Sequence, residues 1–421
     1  MKVLWFEVTP PAKYLGQGWV IGGWQDSLER IVRQIPEIEL SIAFEVTGIQ
    51  PAPQTINDVK YYPIALQYTK KEKEISEISW NIHAEKLLPE LKKIVEEVKP
   101  DLIHVFGTEW PFGLIAETIT IPVVIHIQGA IAPYNNAMFP PGYNLWDILG
   151  TIGWTHLSRI KKRYKEYKLD KSRLEIEMRA WKAVAHYMGR THWDEALSEI
   201  MHPNRKYYHV EEALRTDFTT TGEKWNIPSR DSILLVSTGC SNFWKGPDML
   251  LKTAKILTEL GIDFEWYVAG MMPKDVKQTV EKKVGVRFAQ CNVKFTGFLQ
   301  PQKLSELLVN STMYVHTAYV ENSPNSICEA QCLGVPIVST NVGGIASLVK
   351  HGEQGLLVPA NDPWQMAYAI IKLSKDKDLM IQFSNNSREC ARKRHDDHSI
   401  KEQILKTYYS IVKQTNDTVY R

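Results

Sequence analysis

Short apolar runs rich in Val, Ile and Phe recur along the chain. Longer stretches follow them, with apolar residues spaced three or four apart. That alternation predicts strands and helices in turn, and therefore parallel sheets. In the first half the strands fall at Val3 to Val8, Leu40 to Val46, Leu102 to Phe106, Val123 to Ile127 and Ala183 to Tyr187. Helices are expected over Gly23 to Gln34, Trp80 to Val98 and Phe112 to Ile119. Lys99-Pro100-Asp101 stops one helix before the next strand. The Pro-, Asn- and Gly-rich stretch from Ala132 to Tyr143 reads as a loop, with a long amphipathic helix after it. In the second half, strands are expected at Ser232 to Ser237, Phe264 to Ala269, Val293 to Phe295, Met313 to His316 and Pro336 to Thr340. Helices there include Pro247 to Leu260, Pro301 to Leu308 and Trp364 to Ser374.

A chain of 421 residues suggests about two domains. The polar stretch Thr219 to Asp231 reads as the linker, which divides the chain into residues 1–220 and 221–399. A formal charge of +2 argues against a general nucleic-acid binder. Five cysteines without ligand-like clustering suit a reducing compartment. MKVLWFEVTP reads as a strand, not a leader, and no apolar run approaches the ~20 residues of a membrane span. The expected location is cytoplasmic.

The most informative stretch runs from Tyr319 to Gly344, YVENSPNSICEAQCLGVPIVSTNVGG. Glu321 and Glu329 bracket a turn of Asn322, Ser323 and Pro324. Pro324 suits the first turn of a helix, so the amides of Asn325 and Ser326 would form its N-terminus, a natural diphosphate site. A glutamate beside a diphosphate is better used to accept bonds from sugar hydroxyls. The two carboxylates would then grip two sugars, one on either side of it. A second loop, Thr238 to Gly246, follows a strand and carries Lys245, a point charge for a leaving diphosphate.

Together these residues resemble the nucleotide-sugar site of retaining GT-B glycosyltransferases, family 4. The features that carry the resemblance are the seven-residue gap between Glu321 and Glu329, the strand motif Gly334-Val335-Pro336-Ile337-Val338-Ser339-Thr340 and the pair Gly343-Gly344. The family usually shows G-R-x(4)-K-G in the second loop. Here Gly239, Lys245 and Gly246 match, but Cys240 stands where arginine is expected. The resemblance implies two Rossmann-like parallel-sheet domains, α/β in class, facing a central cleft. The first would bind the acceptor and the second the donor, with a last helix over 400–421 packing back on the first. It also implies that Glu329 holds the ribose, Glu321 the transferred sugar, and the Phe298 backbone the nucleobase. The Gly22-Gly23 loop would close over the donor phosphates, and His126 would lie beside the donor sugar.

Several residues carry two readings. Gly22-Gly23 is either a phosphate loop or a plain turn. His126 is a sugar contact or a structural histidine; His83, His104 and His316 read as structural. Arg190, in Gly189-Arg190-Thr191-His192-Trp193-Asp194, is an anion contact standing in for the missing arginine or a buried ion pair, with Thr191 or Asp194 capping a helix. The basic face from Arg159 to Arg173 is a solvated helix or a peripheral membrane contact. Asp376-Lys377-Asp378 and His395-Asp396-Asp397-His398 read as solvated turns rather than metal sites.

The expected activity is retaining transfer of a sugar from a UDP- or GDP-sugar to a hydroxyl of a carbohydrate or lipid-linked glycan, without cofactor, metal or nucleic acid. Cell-surface polysaccharide or glycoconjugate synthesis is the expected setting. The alternatives are a GT-B nucleotide-sugar epimerase and a non-catalytic nucleotide-sugar-binding protein.

Overall fold

The computed structural model describes residues 1–15, 23–152 and 157–419. The chain forms two compact units: Met1–Ala132 with Lys161–Ala213 and His395–Arg421, and Pro133–Ile160 with Leu214–Arg394.

The first unit is built on an eight-stranded sheet. Its strands are β1 (Lys2–Glu7), β2 (Glu39–Glu45), β3 (Gln54–Ile56), β4 (Val59–Ile64), β5 (Leu102–Phe106), β6 (Val123–His126), β7 (His186–Gly189) and β8 (Lys206–His209). The order is β3-β4-β2-β1-β5-β6-β7-β8, and only the β3–β4 pair among these is antiparallel. Helices cover both faces, so the inner strands are apolar on both sides. Val3 and Trp5 pack towards Trp24–Val32 and Asp397–Val419, while Leu4 and Phe6 pack with Leu87 and Leu91 of Asn81–Val98. The last helix buries Ile400, Ile404, Tyr408 and Ile411. Tyr408 is fixed through its hydroxyl, which accepts from Trp5 Nε1 at 3.1 Å and lies 2.6 Å from His104 Nδ1.

The second unit carries β9 (Ile233–Thr238), β10 (Phe264–Ala269), β11 (Val293–Gly297), β12 (Met313–His316), β13 (Ile337–Thr340) and β14 (Leu356–Val358). They are parallel, in the order β11-β10-β9-β12-β13-β14. In this sheet the order reverses direction at β9 and β12, which places the loops after these strands where an open α/β sheet binds ligands.

Some expectations shift. The Asn57–Asp58 turn, with φ of 49° and 65°, closes an unanticipated β3–β4 hairpin. The strands β8 and β14 were also not anticipated. The strand expected at Ala183 lies at His186–Gly189 because the helix Leu157–Ala183 runs further. The segment read as a loop, Ala132 to Tyr143, overlaps the helix Ile131–Asn136, and Pro133–Ile160 belongs to the second unit. Tyr143 is buried there beside Phe243, 6.0 Å between ring centres. The chain passes into the second unit after Ala213, earlier than the expected boundary at 220. The polar stretch read as a linker is docked on that unit: Trp225 is buried, and its Nε1 donates to Ser311 O at 2.7 Å. His395 is buried and donates to Glu212 O at 2.8 Å, so that turn is not simply solvated.

Candidate active site

The second unit gathers Lys245, Glu321, Asn325, Ser326 and Glu329 around the ends of β9 and β12. The loop after β9 is fixed to the loop after β12 by backbone and hydroxyl bonds. Thr317 Oγ1 donates to Lys245 O at 3.1 Å, and Tyr319 N donates to Trp244 O at 2.7 Å. Gly246 makes this approach possible, since a Cβ there would lie 1.8 Å from Thr317 O and φ is +71°. Lys245 is therefore held beside Glu321, and its ammonium donates to Glu321 Oε1.

Glu321 is held from the other side as well. Gly344 N donates to its carbonyl at 3.1 Å, and a Cβ on Gly343 would fall 1.7 Å from that same oxygen, with φ at +52°. The paired glycine is thus the seat of the Glu321 backbone. Gly343→Ala is expected to cost at least ~2 kcal/mol and to cut turnover. Gly222→Ala, where a Cβ meets nothing, is expected to leave both unchanged. Thermal unfolding and donor turnover of the two variants check this.

His316, read as structural, lies beside Glu321. It ends β12, and its Nε2 lies 3.3 Å from Glu321 Oε1. Its Nδ1 lies 3.3 Å from the Tyr314 hydroxyl, which also meets Thr238 Oγ1 at 2.8 Å and Ser326 Oγ at 2.9 Å. Tyr314 so ties together the loop after β9, the end of β12 and the start of the next helix. Burial pushes the Glu321 carboxyl up, but the Lys245 ammonium and His316 more than reverse this and leave it at about 2. Glu321 is ionised at any working pH.

The helix Asn325–Leu333 begins after Pro324, and its first recorded bond runs from Ile327 N to Pro324 O at 3.0 Å. Asn325 and Ser326 are the first two residues of this helix, so their amides belong to its N-terminal turn. One turn on, Glu329 is buried and is met by Arg215, whose Nε and Nη2 donate to Oε1 at 2.9 and 2.6 Å. Arg215 had no signal in the sequence, being 114 positions away with no motif around it. Cys240, at the arginine position of the family, is buried among core residues, and burial pushes its thiol up to about 12. Phe298 is 65% exposed.

The remaining candidates belong to the first unit. Gly22 lies outside the described residues. Gly23 precedes the helix Trp24–Val32 with φ +54°. Trp24 meets the His126 ring edge-on, 5.0 Å between centres. His126 is fully buried at the end of β6, and among the described residues neither ring nitrogen has a hydrogen-bond partner. Burial, with the nearby Arg190 cation, pulls it down to about 3. It is a neutral imidazole, able to donate or accept but not to serve as a cation. Arg190 forms the buried ion pair that was one of its two readings, Nη2 to Glu212 Oε2 at 3.0 Å. Thr191 caps the following helix by accepting from the Asp194 amide at 3.1 Å, and Asp194 Oδ2 accepts from the Thr191 amide at 3.0 Å.

In the basic helix Leu157–Ala183, Lys165 pairs with Glu77, and the Arg173 guanidinium lies over the rings of Trp80 and Trp110 at 5.1 and 5.5 Å. Lys161, Lys162, Lys168 and Lys171 are exposed. Among the described residues no cluster of His, Cys, Asp and Glu is arranged to hold a metal, and no helix is long and apolar enough to cross a membrane.

Residues 217–390, which include Glu321, Glu329, Lys245 and the paired glycine, match the family of glycosyl transferases group 1. The chain is 26% identical over 221 residues to an N-acetyl-alpha-D-glucosaminyl L-malate synthase of Bacillus anthracis, a match that covers 51% of this chain and 56% of that protein. It is 22% identical over 409 residues to a 2-deoxystreptamine N-acetyl-D-glucosaminyltransferase of Niallia circulans, covering 93% of this chain and 98% of that one. The crystal structure of HepE of Anabaena, in complex with UDP-glucose, superposes with a TM-score of 0.65 at 15% identity, over 97% of this chain and 100% of that one. The fold is GT-B.

Proposed function

We propose that this glycosyltransferase moves a sugar from a nucleoside diphosphate sugar to an acceptor hydroxyl with retention of anomeric configuration, in polysaccharide or glycoconjugate synthesis. The observation that carries the reading is the grouping of Lys245, the first amides of Asn325–Leu333, Glu321 and Glu329 in one unit. The diphosphate would lie on the amides of Asn325 and Ser326 and near Lys245, where negative charge grows as the glycosidic bond breaks. Glu329 would accept from the ribose and Glu321 from the transferred sugar. The leaving phosphate would take the acceptor proton from the same face. His126, neutral at working pH, would contact the sugar as a hydrogen-bonding group. The UDP-glucose bound by HepE supports a UDP-sugar as the first donor to try. The chain's own basic side chain and amides make a metal unnecessary in this reading.

The acceptor would be a carbohydrate or a lipid-linked glycan. The exposed Lys161, Lys162, Lys168 and Lys171 support a peripheral contact with an anionic membrane. Reversing them to glutamate should then abolish co-sedimentation with anionic vesicles, and unchanged sedimentation would leave them as solvated charge.

The test of the activity is release of nucleoside diphosphate from UDP-glucose and GDP-mannose in EDTA, with the anomer of the freed sugar followed by NMR. Slow release of the retained anomer is expected. Inversion, an absolute metal requirement, or epimerised donor without cleavage would each overturn the proposal.

A further inference from the structure

The carboxylate assigned to the ribose is itself held in place. Arg215 stands just before the short helix Thr216–Thr219, two residues after the chain enters the second unit. Its guanidinium lies 4.9 Å from the ring of Phe218, which is buried. That platform limits the rotamers of a long side chain and sets the plane of its fork. Both donors of the fork, Nε and Nη2, reach the same oxygen of Glu329, Oε1. Among the described residues no donor meets Oε2.

We propose that Arg215 is a positioning residue for the nucleotide: it anchors Glu329 through Oε1 and presents Oε2 to the ribose hydroxyls. This rests on the reading that Glu329 holds the ribose. An end-on grip on one oxygen differs from the two-oxygen pairing usual for arginine and carboxylate, which would occupy both acceptors. Burial pushes the Glu329 carboxyl up, with Asp217 adding to it, and Arg215 acts against both. Arg215 thus orients an acceptor that would otherwise be poorly ordered and poorly charged. The arginine does not need to touch the nucleotide to do so.

Calorimetry with UDP and GDP, each against its 2′-deoxy counterpart, tests the inference. The native protein should prefer the ribonucleotide about tenfold or more, the worth of a hydrogen bond to a charged group. Glu329→Ala should remove that preference. Arg215→Ala should also remove it, by weakening the ribonucleotide about tenfold and leaving the deoxynucleotide nearly unchanged. Arg215→Lys, with one ammonium and no planar fork, should give an intermediate preference.

An Arg215→Ala protein that keeps the full preference, or loses both nucleotides equally, would overturn the positioning role. If Arg215→Ala does not fold, an unchanged preference in Arg215→Lys overturns it. If the native protein shows no preference, or Glu329→Ala keeps it, the ribose reading of Glu329 fails instead.

Discussion

Glu321→Gln is expected to lower turnover about a hundredfold or more while binding nucleoside diphosphate severalfold more tightly. The two effects have opposite signs because Glu321 faces two ways. In the structure its carboxylate neutralises Lys245 and lies 3.3 Å from His316 Nε2. Glutamine removes that negative charge, so the ammonium is no longer shared and is left to the diphosphate. A gain of ~1 kcal/mol is reasonable for a partly screened pair. The sugar, however, loses a charged acceptor at the reacting centre, and losses of ~2.7 kcal/mol or more follow removal of such an interaction. Calorimetry with the diphosphate and steady-state donor cleavage read the two halves separately. A variant weaker in both would mean that Glu321 holds the nucleotide rather than the sugar.

Lys245→Ala should damage both binding and stability. Nucleoside diphosphate affinity is expected to fall by ~2–4 kcal/mol, since a charge is lost and its partner is left buried. The stability effect has a defined pH window. Glu321 sits at about 2 in the folded chain, below its ordinary value of 4.5. Its contribution is therefore present above pH ~4.5 and is lost as pH falls towards 2. The contribution is on the order of 3 kcal/mol. Without Lys245 the carboxyl rises, so the variant should lose stability relative to the native chain at pH 7. The gap should narrow at pH 3–4. Unfolding curves at both pH values check the sign. A gap that is equal at both would place the effect in packing and not in the ion pair.

How much of this was legible depends on the range over which each feature is encoded. Glu321, Asn325, Ser326, Glu329 and the glycine pair sit on one strand–helix–strand stretch, so local periodicity and spacing were enough to bring them together. Lys245 was legible because it follows a strand, and loops after parallel strands open at one sheet edge. Arg215 and His316 were not. Arg215 reaches Glu329 from a distant part of the chain, and His316 looked like any strand-end histidine until Tyr314 and Glu321 were seen on either side of it. The β3–β4 hairpin was missed because Gln54–Ile56 is short and largely exposed, without the apolar alternation that marks a strand. The polar stretch around Trp225 looked like a free connector because its buried tryptophan is outnumbered by polar neighbours.

A nucleoside diphosphate is expected to bind in the second unit between Glu321 and Glu329. A crystal structure of the chain grown with UDP or GDP in EDTA tests it directly. The diphosphate should lie on the amides of Asn325 and Ser326 with Lys245 beside it, and the ribose hydroxyls should reach Glu329 Oε2. A nucleotide bound elsewhere, or a ribose that turns away from Glu329, would contradict it.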